Sequence, residues 1–222
     1  MINGIHRFEY AGDLVHTSGA GVVMEFDIDP VTVVKSNQIV TLAVGKVVPA
    51  TDLTKAILGW AAEPHDSVSD ERQKGNRIRV YCSPSAVFKC KPHTLLSAAS
   101  GSETTFVDAS LNGLGDDALN GGYLKVVSSK TLEKAKGGVL GITDFTAETG
   151  TITGDFPGGV SAGDTAILLP PVGETIFGTT PDGTNLDLKV GEKSALIIVK
   201  VDKETEEVYI APRLHVFASI IS

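Results

Sequence analysis

The stretch Gly45–Trp60, GKVVPATDLTKAILGW, and its continuation Ala62–Tyr81, AEPHDSVSDERQKGNRIRVY, decide the fold class. A short strand at Lys46–Ala50 leads into a turn and an apolar patch ending in Leu58-Gly59-Trp60. A charged loop then feeds a second strand at Arg77–Tyr81. Runs rich in Val, Ile and Thr, bounded by turn-forming residues, predict short strands. Nothing in the stretch is arranged for bond-making chemistry.

The same grammar extends in both directions. Gly21–Ile28 alternates as a strand and stops at Pro30. Val31–Val34 and Gln38–Val44 flank Lys35-Ser36-Asn37, and Arg77–Ser83 and Ala86–Lys91 flank Pro84-Ser85, which predicts two hairpins. Further on, Tyr123–Ser128 and Thr165–Leu169 read as strands, and Val139–Phe145 with Thr151–Phe156 as a hairpin across Glu148-Thr149-Gly150. The tail reads as strands at Leu186–Val190, Ser194–Val201, Glu207–Ile210 and Leu214–Ile221, with a turn at Asp202–Glu206. Helix is confined to Thr51–Leu58, Leu111–Leu119 and Thr131–Lys136.

The expected fold class is therefore all-β: a small β-barrel or sandwich domain followed by a second β-rich domain, with very little helix. The small polar run Ser97–Ser102, SAASGS, reads as a linker and divides the chain into 1–96 and 97–222. Residues 1–96 carry ten acidic and ten basic groups, whereas 97–222 carry seventeen acidic and nine basic. A neutral part joined to an acidic part suggests one made for contact and one made for solvent. Net acidity argues against nucleic acid as partner, because a binder must neutralise phosphates. No apolar run approaches the roughly 20 residues that a bilayer requires, so no membrane association is expected. The opening MINGIHRFEY lacks a basic region followed by an apolar stretch, which places synthesis in the cytoplasm as an expectation.

Several residue sets invite a chemical reading. Glu25, Asp27 and Asp29 alternate with Met24, Phe26 and Ile28, so a strand would present three carboxylates on one face. A cation site or a glycosidase-like pair competes there with a solvated strand face, and the latter is favoured. Cys82 and Cys90 flank the hairpin expected near Ala86 and could bond across it, although reduced thiols fit a cytoplasmic chain better. The five histidines have no spaced partner, no G-x-S-x-G elbow occurs, and neither Gly113-Leu114-Gly115 nor Gly191–Ser194 fits a phosphate loop. No cofactor, metal or catalytic set is expected, and the chain reads as a non-enzyme. The basic cluster Arg72, Lys74, Arg77 and Arg79 is either a charged hairpin edge or a contact for an acidic protein surface. Trp60, the lone tryptophan, is either a core anchor or an interface residue.

The wording of Gly45–Trp60 and Arg77–Tyr81, together with the Gly121–Asp164 block, resembles phage capsid decoration (cement) and head structural proteins. That resemblance implies a virion structural protein that decorates the capsid surface and cements the shell by protein–protein contacts. Its implied partners are the major capsid protein and further copies of itself, as a homo-oligomer read as a trimer. The candidate interface is Trp60, Arg72, Lys74, Arg77 and Arg79, and the implied location is the virion surface after synthesis in the host cytoplasm. A tail, baseplate or host-surface-binding component is the alternative. A carbohydrate-binding or hydrolytic β-sandwich using Asp27 is a third reading, disfavoured by the 6% aromatic content.

Overall fold

The computed structural model describes residues 9–13, 22–66, 75–92, 94–129, 138–175, 177–179, 186–188 and 193–216. Among them the fold is almost entirely antiparallel β structure, as expected, with one turn of 3-10 helix at Ala109–Leu111. After β1 (Glu9–Asp13), the chain builds a five-stranded sheet from β2 (Val23–Asp27), β3 (Ile39–Ala43), β4 (Lys46–Pro49), β5 (Gly59–Ala61) and β6 (Arg77–Tyr81). Its spatial order is β2-β6-β5-β3-β4. Ile28, just past β2, bridges in parallel to Val47 of β4, so the two edges meet and the sheet closes on itself.

Alternation then gives this first barrel two apolar faces. Ile28, Val40, Val47, Ala61, Ile78 and Val80 are buried together in the lumen. Ile39 and Trp60 point the other way, into the main core of the molecule. There Trp60 stacks on Phe88 with ring centroids 4.2 Å apart, and Tyr81 meets Phe88 edge-on at 5.6 Å. Such ring pairs add to the apolar burial that dominates core stability.

Phe88 belongs to β7 (Ala86–Cys90), which leaves the barrel. Next come β8 (Leu95–Ser97), β9 (Ser100–Gly101), β10 (Thr105–Val107), β11 (Tyr123–Ser128), β12 (Val139–Thr146), β13 (Thr151–Gly154) and β14 (Thr165–Leu169). They form a seven-stranded sheet in the order β8-β14-β11-β12-β13-β10-β9. Its two edges, β8 and β9, are separated in the chain only by Ala98 and Ala99. Three Cα steps span about 11 Å at most, so the sheet must curl until its edges are neighbours. One bent strand serves both edges: Ala98 N–H donates to Asp164 O on the β14 side, and Ala99 N–H to Val107 O on the β10 side, both at 2.8 Å.

A small ribbon, β15 (Phe177–Thr179) with β16 (Leu186–Leu188), precedes the closing hairpin of β17 (Leu196–Asp202) and β18 (Glu207–Pro212). That hairpin returns to β7, giving a four-stranded sheet β1-β7-β18-β17. Its turn reaches β11, where Lys125 is ion-paired with Glu206 and Lys203 lies over the Tyr123 ring.

Several local expectations change. Ser97–Ser102 is no linker: it contains the end of β8 and all of β9, and Ala98 is buried. Its residues are small because space is short, since a Cβ on Gly101 would stand 2.5 Å from Val160 Cβ. The expected division at 96/97 accordingly falls inside β8, and the C-terminal hairpin pairs back with β7. The hairpin expected around Pro84-Ser85 does not form, because β6 pairs with β2 and β5 while β7 pairs with β1 and β18. Val34 bridges His65, and β3 instead turns back into β4 through Val44-Gly45. Turns occupy parts of 51–58 and 111–119 in place of helix, while 131–136 and 217–222 lie outside the described residues. Tyr123–Ser128, Thr165–Leu169 and the hairpins of β12–β13 and β17–β18 form where expected.

Candidate interaction surface

Of the two readings of Trp60, burial favours the core anchor, since none of its surface is exposed in the single chain. Arg77 and Arg79 lie on β6, which runs between β2 and β5. They therefore do not guard a sheet edge. Their register places Arg77 opposite Asp27 and Arg79 opposite Glu25. Arg77 Nε lies 3.0 Å from Asp27, and Arg79 reaches Glu63 Oε2 through Nη2 at 2.6 Å and Nε at 3.0 Å. The Arg79 backbone N–H also donates to Glu63, at 3.2 Å. These hydrogen bonds hold the Glu63 carboxyl below its ordinary range and raise the guanidinium of Arg79. Arg72 and Lys74 lie outside the described residues.

The carboxylates of β2 form the solvated face that alternation suggested. Glu25 and Asp27 are exposed, and Asp29 pairs with Lys46 at 3.5 Å while accepting from the Val31 N–H. Among the described residues no three His, Cys, Asp or Glu side chains group as metal ligands. Cys82 and Cys90 are both buried free thiols in separate apolar clusters. Burial pushes both thiols up, away from the reactive thiolate. Burial also pushes the His215 imidazole down. Asp108 and Asp164 are buried, but each is taken up by structural hydrogen bonds: Asp108 accepts from the Ser97 and Ser110 N–H groups, and Asp164 from Ser161 N–H and the Ser129 hydroxyl.

The feature that sequence reasoning missed is apolar. Among the described residues eight large hydrophobic side chains are exposed, and six of them, Val22, Val23, Met24, Val31, Val33 and Val44, belong to the first barrel or its entry and turns. Singly they would mean little, but their concentration marks this barrel as the contact-prone part of the chain. Val44 stands out because it is fully exposed at the tip of the β3–β4 hairpin with a φ of 50°. With Gly45 at 76°, this is the two-residue turn that suits a twisted hairpin. A β-branched residue is a poor occupant of its first position. The dipeptide Val44-Gly45 between two apolar runs was the available signal, and the competing turn at Lys35-Ser36-Asn37 drew the register away from it.

Comparison of the chain with protein-family models, curated proteins and solved structures yields no match in any of the three.

Proposed function

We propose that this chain is a virion structural protein that decorates and cements a capsid surface, acting by protein–protein contact rather than catalysis. The observation behind this reading is the gathering of exposed apolar side chains on the first barrel, beside arginines whose charge is balanced by Asp27 and Glu63. A near-neutral surface with bare valines suits a protein partner better than a phosphate backbone or a small charged substrate. The acidic second barrel then faces solvent. On the family resemblance the partners are the major capsid protein and further copies of this chain, as a trimer, at the capsid surface after synthesis in the host cytoplasm. The test is titration of purified empty shells with the protein, read by sedimentation. Saturation at a fixed number of copies per shell supports the reading, and no binding rejects it in favour of a tail or baseplate component.

A further inference from the structure

Two Asn-Gly pairs lie in the described part of the second barrel, Asn112-Gly113 and Asn120-Gly121. A third, Asn3-Gly4, lies outside the described residues. In such a pair the backbone nitrogen of Gly can attack the side-chain amide carbon of Asn, because Gly has no Cβ to block the approach. The attack requires that this nitrogen and this amide are not held by other partners.

The fold holds one pair and leaves the other open. Asn120 is half-buried, its Nδ2 donates to Asp117 Oδ1 at 2.8 Å, and the Gly121 N–H donates to Ile142 O at 3.0 Å. Both reacting groups are therefore engaged. Asn112 and Gly113 are exposed, at the centre of a turn closed by Leu114 N–H to Leu111 O at 3.3 Å. Asn112 has φ −60° and ψ 133°, and Gly113 has φ 95°. This is a type II turn, whose closing bond does not use the central N–H. Among the described residues neither the Asn112 side chain nor the Gly113 N–H has a hydrogen-bond partner. The peptide plane between them is free to turn until the nitrogen faces the side-chain carbon.

We propose that Asn112 is a site of spontaneous deamidation, from which Asn120 is protected by its hydrogen bonds. Asparagine is among the thermally labile residues, and the step needs no catalyst. The Gly113 nitrogen forms a bond to Asn112 Cγ, the Cγ–Nδ2 bond breaks, and the Gly113 amide proton leaves with Nδ2 as ammonia. Water then opens the ring at either carbonyl and leaves aspartate, or the isoaspartyl form in which the backbone runs through the side-chain carbon.

Each conversion replaces a neutral amide by a carboxylate within residues 97–222, which already carry seventeen acidic and nine basic groups. The isoaspartyl form also lengthens the backbone by a carbon between Leu111 and Leu114, both of which are buried. The turn between β12 and β13 stands against this site, since a Cβ on Gly150 would lie 2.8 Å from Asn112 Oδ1. Asn112 is thus an ageing mark that adds charge and loosens one corner of the second barrel.

The experiment incubates the whole folded chain at mildly alkaline pH and follows both peptides by mass spectrometry, with fragmentation that separates aspartate from isoaspartate. Reaction at Asn120 must first break two hydrogen bonds, so Asn112 should convert at least about tenfold faster. In urea, where the fold no longer distinguishes the pairs, the two rates should converge. Conversion of Asn120 as fast as Asn112 in the folded chain overturns the proposal. So does an intact Asn112 over a period in which the unfolded chain converts, or a difference between the two sites that persists unchanged in urea.

Discussion

The two barrels are closed by different means. In the first, a single backbone bridge between Ile28 and Val47 joins the edges, and side chains across the outside, Arg77–Asp27 and Arg79–Glu63, tie neighbouring segments. In the second, one bent strand passes from one edge to the other, Gly101 presses against Val160, and the buried carboxylates of Asp108 and Asp164 hold the corners. The first barrel also leaves valines bare, while among the large hydrophobic residues described on the strands of the second only Leu95 is exposed. A barrel closed by its own continuous chain can be self-sufficient. One closed lightly, with apolar side chains left outside, is suited to completion by a neighbour.

The largest expected effect is at Gly59, on the joint between β5 and β6 of the first barrel. Its φ is 150°, and a Cβ there would lie 1.9 Å from Tyr81 O. Gly59→Ala should destabilise the chain by more than about 3 kcal/mol in urea unfolding. A loss below about 1 kcal/mol would mean that β5 and β6 can separate without harm, and that the first barrel is looser than described. Trp60→Ala removes the ring that joins this barrel to β7, and should cost about 3–5 kcal/mol. A loss below about 1 kcal/mol would mean that the Trp60–Phe88 stack is not what joins the first barrel to β7.

Smaller effects sharpen the contrast. Val44→Asn relieves a left-handed backbone at a fully exposed tip and should stabilise the free chain by about 1 kcal/mol. A neutral or destabilising result would remove the strain from the account. The smallest effect concerns Glu63, whose carboxyl is held low by hydrogen bonds from Arg79. A lowered folded-state value stabilises above the unfolded carboxylate's titration and is lost as pH falls through the folded one. Glu63→Gln should therefore flatten part of the acid limb of stability, slightly because Arg79 is exposed. An unchanged acid limb would show that the pair adds nothing to the closure.

Strand positions were legible because the spacing of Val, Ile and Thr between turn residues is a local signal, and Tyr123–Ser128 and Thr165–Leu169 needed nothing more. Partners were not legible. The expected bend at Pro84-Ser85 is a passage between two sheets, because β7 finds its partner more than a hundred residues later, at β18. SAASGS shows the same limit from composition, since small residues serve both a flexible connection and a crowded crossing, and only Val160 across from Gly101 tells which. At the candidate site the charges of Arg77 and Arg79 were legible, but their neutralisation was not, because Glu63 lies across a loop and Asp27 across a strand pair. The exposed valines read as ordinary strand residues until the barrel placed them outside.

Hydrogen exchange on the protein bound to empty shells, compared with the free chain, tests most directly whether the first barrel is the contact surface. Added protection should concentrate at Val22–Met24, Val31–Val33 and the Val44 tip, with β11–β14 unchanged. Added protection confined to the second barrel, with the first barrel's valines exchanging as in the free chain, would contradict it.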